Sequence, residues 1–110
     1  TFKENIPDIR NTRVVDIIEE LRGYGIEVFL HDPHADTTEV RSHYRLELTP
    51  LKEITDMDAV IVAVAHEEYR QLGLAGIAGR CRNGSPVVAD VKGLFSVGEA
   101  ARLGIRYWSL

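Results

Sequence analysis

A chain of 110 residues has room for one domain with one modest hydrophobic core. Hydrophobic residues make up 45% of the chain and charged residues 27%, which is typical of a globular protein and excludes a disordered one. The net charge of −4 disfavours nucleic acid and the membrane surface as partners, because both attract proteins with a basic face.

Three features of the sequence bear on the cellular compartment of the protein. The longest apolar run, Ala59 to Ala65, is too short to cross a bilayer. No charged n-region followed by an apolar h-region is present, so no signal peptide is visible. The single cysteine, Cys81, cannot form a disulfide within the chain. We therefore expect a cytoplasmic protein.

The first part of the chain predicts helix, strand and helix in turn. Apolar residues recur at helical spacing after two suitable N-caps, Asn11 and Thr12, and Gly23 is expected to end this helix. Residues 26–30 (IEVFL) predict a strand, and a Thr-Pro pair begins a short helix over residues 49–55.

The second part alternates between strands and helices. The predicted elements are a strand at 59–65, a helix at 66–72, a turn at 83–86, a strand at 87–89, a helix at 96–103 and a strand at 105–108. The run AVIVAVA at 59–65 is typical of a central parallel strand that is buried on both faces. Strands separated by helices indicate right-handed crossovers, so we predict the α/β class with a doubly wound, mainly parallel sheet.

The start of the chain is unusual for such a fold. A helix is predicted close to Thr1, but no strand precedes it, whereas a doubly wound sheet normally opens with a strand. We therefore expect residues 1–110 to be one domain of a protein that continues upstream.

The opening segment, residues 2–12, is a candidate anion-binding loop. In open α/β sheets ligands bind at the carboxyl ends of strands, and a helix N-terminus there favours negative charge. Lys3 and Arg10 would add positive charge, and an arginine can hold a phosphate with two hydrogen bonds. The alternative is a polar loop with solvated charges, because no glycine-rich phosphate loop is present.

A second candidate is the turn Asp90-Val91-Lys92-Gly93, directly after the predicted strand at 87–89. Lys92 would project from the carboxyl edge of the sheet, on the same rim as Lys3. Two cations on one rim suit a diphosphate. The alternative is a solvated turn.

Four histidines raise the possibility of a metal site: His31, His34, His43 and His66. Proline between the first two would separate their rings, and no third ligand stands at a recognisable spacing, so no metal site is predicted. Asp32 follows a predicted strand, where a dinucleotide-binding fold places an acid that binds ribose. Because G-x-G-x-x-G is absent, we expect Asp32 to stabilise a turn instead.

No complete catalytic constellation is visible. Cys81 stands between two arginines that could lower its pKa, but no histidine partner can be assigned, so a partly buried structural cysteine is expected. The sequence His66-Glu67-Glu68 could supply acid–base groups, although a solvated helix start is the simpler interpretation.

Longer stretches of the chain resemble a known family. TFKENIPDIRNT, VVDIIEELRGYGIEV and HDP are similar to the opening of the UDP-binding domain of the UDP-glucose/GDP-mannose dehydrogenase family. The similarity continues through AVIVAVAHEEY, VVADVKGLF and GIRYWSL, and so covers essentially the whole chain. The opening and the end look most like the branch of UDP-N-acetylglucosamine and UDP-N-acetylmannosamine 6-dehydrogenases.

The resemblance implies a Rossmann-like three-layer sandwich at the C-terminus of a larger, homo-oligomeric enzyme. The rest of the parent chain would supply an N-terminal NAD-binding domain and a central dimerisation segment, both absent from residues 1–110. Such enzymes use NAD and a cysteine to oxidise the C6 alcohol of a UDP-sugar to a carboxylate for polysaccharide biosynthesis. That cysteine lies in an upstream motif that Cys81 does not match, so the chain alone is expected to be inactive.

The resemblance also assigns four site residues. Phe2 and Lys3 match the start of the family's sugar-nucleotide-binding stretch, and Lys92 stands where a basic residue contacts the UDP-sugar. Arg10 matches an arginine that reaches NAD. Whether the sugar is glucose or an N-acetylhexosamine stays open. The alternative function is a non-catalytic nucleotide-binding or oligomerisation module.

Overall fold

The computed structural model describes residues 13–82 and 84–109, and the chain divides into two compact units, Thr1–Glu53 and Ile54–Leu110. The helices are α1 (Arg13–Gly23), α2 (Thr37–Tyr44), α3 (Glu67–Ala78) and α4 (Val97–Arg102), with a 3-10 turn at Leu51–Glu53. The strands are β1 (Val60–Val62), β2 (Val87–Asp90) and β3 (Arg106–Ser109).

In the first unit, the C-terminal end of α1 is followed by Gly25, which has a left-handed backbone conformation. Ile26 N–H returns to the Leu21 carbonyl at 3.1 Å and Gly25 N–H to the Arg22 carbonyl at 2.9 Å. With Gly25 at a φ of 78°, these bonds form a Schellman motif, which satisfies carbonyls at the helix end. The helix ends at Gly23 as predicted, but Gly25 provides the turn. The expected caps, Asn11 and Thr12, lie outside the described residues.

Helix α2 was not predicted from the sequence. Asp36 caps it, since its Oδ1 accepts the Glu39 N–H at 3.0 Å. Among the side chains of this helix that the structure describes, Val40 alone is buried, and it joins Val15, Ile18 and Leu46 in the core of the first unit. Within the described residues, the segment predicted as a strand at 26–30 forms a single parallel bridge, which joins Leu30 to Leu48.

The second unit contains a parallel three-stranded sheet in the order β1-β2-β3. Helix α3 links β1 to β2, and α4 links β2 to β3. Both helices bury side chains against one face of the sheet, in a core of Val62, Leu74, Ile77, Val88, Ala100 and Ile105. The α/β class with a parallel sheet is thereby confirmed.

The strand predicted at 59–65 is shorter than expected, and it is not central in the sheet order of the described residues. Only Val60–Val62 pair with a neighbour, and within the described residues β1 stands at one end of the sheet order. Its middle residue, Ile61, lies in register with Ala89, which pairs with Trp108. Ile61 is 41% and Trp108 54% exposed, so this face of the sheet is not buried as the sequence pattern suggested.

Candidate functional site

The turn after β2 holds Lys92 at the carboxyl end of the sheet. Val91 N–H donates to the Val62 carbonyl at 3.0 Å, which ties the start of the turn to β1. Gly93 N–H donates to the Asp90 carbonyl at 3.2 Å and closes the turn around Lys92. Gly93 has a φ of 67°, a conformation that favours glycine. Lys92 is therefore an exposed cation on a short, closed turn.

Asp90 ends β2 and begins this turn, and it is fully buried at 0% exposure. Its Oδ1 accepts the Leu94 N–H at 2.9 Å, and its Oδ2 accepts the Phe95 N–H at 2.8 Å. Together with the carbonyl bond to Gly93, one residue accepts hydrogen bonds from three consecutive backbone N–H groups. A buried carboxyl group is stabilised by such donors, so the turn and Asp90 hold each other in place.

Tyr107 supplies a further donor to the same carboxylate. Its hydroxyl donates to Asp90 Oδ2 from the neighbouring strand β3. Burial, the hydrogen bond to Asp90 and the negative charge of Asp90 together raise the pKa of Tyr107 to about 12. The phenol therefore stays protonated, and remains a donor, at every physiological pH.

The end of β1 leads into a different environment. His66 precedes α3 and is only 1% exposed, so the predicted solvated helix start is wrong for His66, although Glu67 and Glu68 are exposed. The His66 ring lies 5.8 Å from that of Tyr69, centroid to centroid. Burial and the charge of Glu68 both raise the pKa of Tyr69. Two carboxylates in the first turn make this helix N-terminus unsuitable for an anion.

Two other polar candidates have structural roles. Asp32 Oδ1 accepts the N–H groups of His34 at 2.8 Å and Ala35 at 3.1 Å, which confirms the predicted turn-stabilising role. Cys81 is buried, and its Sγ lies 3.6 Å from the Val87 carbonyl oxygen. It is thus a structural cysteine, as predicted, and is not presented to a substrate.

The described residues contain neither a cluster of metal ligands nor a glycine-rich dinucleotide loop. No group of three or more histidine, cysteine or acidic side chains there is arranged to hold a metal ion. The sequence contains no G-x-G-x-x-G, the motif that binds a dinucleotide pyrophosphate in Rossmann folds, and Gly25 belongs to a helix end. No helix among the described residues is long and apolar enough to span a membrane.

Of the four predicted site residues, the structure describes Lys92. Phe2, Lys3 and Arg10 lie outside the described residues, and their roles stay predictions. Within the described part of the chain, Asp90 was predicted only as the first residue of the candidate turn, and Tyr107 was not predicted as a site residue. An acidic residue that follows the apolar residues 87–89 and precedes Val-Lys-Gly is a pattern that could have indicated the role of Asp90.

The chain is similar to proteins of one family. The family described as the UDP-glucose/GDP-mannose dehydrogenase family, UDP binding domain, matches residues 1–97. UDP-N-acetyl-D-glucosamine 6-dehydrogenase of Salmonella typhi is 46% identical over 81 residues, which cover 72% of this chain and 19% of that protein. Protein CapL of Staphylococcus aureus is 37% identical over 115 residues, which cover 100% of this chain and 25% of that protein.

The chain therefore spans a quarter or less of the length of these two relatives. Among solved structures, the NDP-N-acetyl-D-galactosaminuronic acid dehydrogenase from Methanosarcina mazei Go1 superposes with a TM-score of 0.84. The superposition covers 98% of this chain and 22% of that chain, at 23% sequence identity. This likeness shows a shared fold.

Proposed function

We propose that this chain, which belongs to the UDP-glucose/GDP-mannose dehydrogenase family as its UDP-binding domain, binds the UDP portion of a UDP-sugar. In this proposal the parent enzyme is an NAD-dependent UDP-sugar 6-dehydrogenase. It oxidises the C6 alcohol of the sugar to a carboxylate and so supplies a UDP-hexuronate for polysaccharide biosynthesis. The relatives named as UDP-N-acetyl-D-glucosamine 6-dehydrogenases favour an N-acetylhexosamine as the sugar.

The observation that supports this proposal most strongly is the Lys92 turn. It lies at the carboxyl end of a parallel strand, which is where open α/β sheets bind their ligands. Within the described part of the chain Lys92 makes no ion pair, so its ammonium is available to a phosphate oxygen. A lysine offers a compact point charge, which suits a diphosphate without demanding one orientation.

Three further residues are assigned by the family resemblance. We propose that Phe2 and Lys3 contact the sugar nucleotide and that Arg10 contacts NAD. NAD itself would be bound mainly by the missing N-terminal domain of the parent chain, because the described residues lack a dinucleotide loop. When bound, NAD accepts the hydride that leaves C6.

Catalysis is proposed to need the rest of the parent chain. Cys81 is buried against a backbone carbonyl, so it does not provide the nucleophile that the family reaction uses. We therefore propose that the isolated chain binds a UDP-sugar without reducing NAD. The parent enzyme is proposed to be a homo-oligomer.

Titration calorimetry with UDP tests the binding proposal. Wild-type chain is expected to give saturable binding, and Lys92→Ala is expected to weaken it about tenfold, because one charge-assisted contact to phosphate is lost. Lys52→Ala is the matched control. It removes the same charge from an exposed position in the 3-10 turn and should leave UDP affinity unchanged.

Two results would contradict the proposal. The first is an unchanged UDP affinity in Lys92→Ala. The second is an equal loss of affinity in the Lys92 and Lys52 variants, since this would indicate a general effect of net charge rather than a contact at the turn.

A further inference from the structure

We infer that Asp90 is a positioning residue for the nucleotide: its buried carboxylate fixes the Lys92 turn in the conformation that meets the phosphates. The inference rests on the proposed function of Lys92 and extends it to a side chain that no solvent-borne ligand can touch. Asp90 is fully buried, so its influence on a ligand must pass through the turn.

The hydrogen bonds of the turn support this role. Lys92 is followed by three residues, Gly93, Leu94 and Phe95, and the N–H of each donates to Asp90. One donates to the backbone carbonyl and one to each carboxylate oxygen. Immediately afterwards Ser96 Oγ accepts the Glu99 N–H at 3.1 Å and caps α4. The backbone is therefore anchored continuously from the end of β2 to the start of α4.

The anchor itself is held from a second strand. Tyr107 donates its hydroxyl to Asp90 Oδ2, the same oxygen that accepts the Phe95 N–H. Because Tyr107 lies on β3, the carboxylate cannot rotate away from the turn without losing its contact to the sheet. On the other side, Val91 N–H donates to the Val62 carbonyl of β1. All three strands thus contribute to fixing the turn.

A fixed turn favours binding for a physical reason. A ligand that meets a mobile loop must order it, and the entropy lost in ordering reduces the affinity. Gly93 has a positive φ, and a glycine turn without its anchor would sample many conformations. The buried carboxylate removes this freedom before the nucleotide arrives, so the backbone that carries Lys92 is already ordered.

A double-mutant cycle tests the inference, with UDP affinity measured by calorimetry. Asp90→Asn keeps the shape of the side chain but replaces one acceptor oxygen by an NH2 group, which cannot accept a backbone N–H. We expect it to weaken UDP binding about tenfold in the wild-type background. In the Lys92→Ala background we expect a further loss of less than about twofold, because the group that Asp90 positions is absent.

The cycle separates the possible outcomes. If Asp90→Asn weakens UDP binding equally in both backgrounds, Asp90 acts on the fold alone and the inference is overturned. If Lys92→Ala has no effect of its own, the proposed function fails instead. If Lys92→Ala weakens binding but Asp90→Asn does not, the inference fails and the proposed function stands.

Amide exchange provides a readout that does not depend on UDP. In Asp90→Asn we expect faster exchange at Leu94 and Phe95, with the amides of α3 unchanged. Unchanged exchange at both residues would overturn the inference. Should Asp90→Asn fail to fold, Tyr107→Phe replaces it in the same cycle. That variant removes only the phenol donor, and an affinity loss of about threefold that disappears in the Lys92→Ala background is expected.

Discussion

The Asp90 carboxyl group lies in the interior, where a polar group is tolerated only if hydrogen-bond donors surround it. Two backbone N–H groups and the Tyr107 hydroxyl fulfil this requirement. The sequence could indicate an acid at the end of an apolar strand, but it could not show which side chain of another strand reaches it. Tyr107 stands 17 residues away along the chain and meets Asp90 only through the sheet.

The Tyr107 phenol makes the unfolding free energy of the protein depend on pH in the alkaline range. Its pKa is about 12 in the folded protein and 10.0 in the unfolded chain, so the unfolded state loses this proton first. The stabilising contribution is complete below pH 10 and is lost as the pH rises through about 12. We therefore expect the difference in unfolding free energy between wild type and Tyr107→Phe to shrink over this range.

Chemical denaturation at neutral pH and at several pH values up to about 12 measures that difference. Tyr24→Phe is a suitable control, because Tyr24 is 77% exposed. A wild-type advantage over Tyr107→Phe that stays constant across the range would contradict the role given to the phenol.

Helices were more predictable than strands wherever a helix buries a regular apolar stripe. Val15 and Ile18 of α1 face the core at helical spacing, so the pattern in the sequence was sufficient. Of the α2 side chains that the structure describes, Val40 alone is buried, and the polar sequence of this helix has no such stripe. The extent of a strand depends on its neighbours, which explains why the apolar run at 59–65 pairs over only Val60–Val62.

The short helix α4 is expected to depend on its N-cap. Ser96 Oγ accepts the Glu99 N–H, which would otherwise lack an intrahelical partner. Ser96→Ala should lower the unfolding free energy by about 1 kcal/mol, as measured by urea denaturation. Ser85→Ala, in the exposed loop before β2, is the matched control and should change it by less than about 0.5 kcal/mol. Equal effects of the two substitutions would argue against the cap.

At the scale of the whole molecule, the alternation of strands and helices was enough to predict the α/β class and the parallel sheet. It could not predict that the chain divides into two compact units, each with its own core, because that depends on contacts between distant segments. The proposed function is also divided between this chain and the rest of the parent chain. In the proposed function, this chain presents a cation to the nucleotide, and the rest of the parent chain would supply the nucleophile and most of the NAD site.

The chain is proposed to recognise the diphosphate of a UDP-sugar. This proposal is tested most directly by calorimetric titration of the wild-type chain with UDP, UMP and uridine under identical conditions. We expect one UDP per chain, weaker binding of UMP by about tenfold, and no measurable binding of uridine, because the Lys92 turn is proposed to contact phosphate. Equal binding of UDP and uridine, or no binding of UDP, would contradict the account.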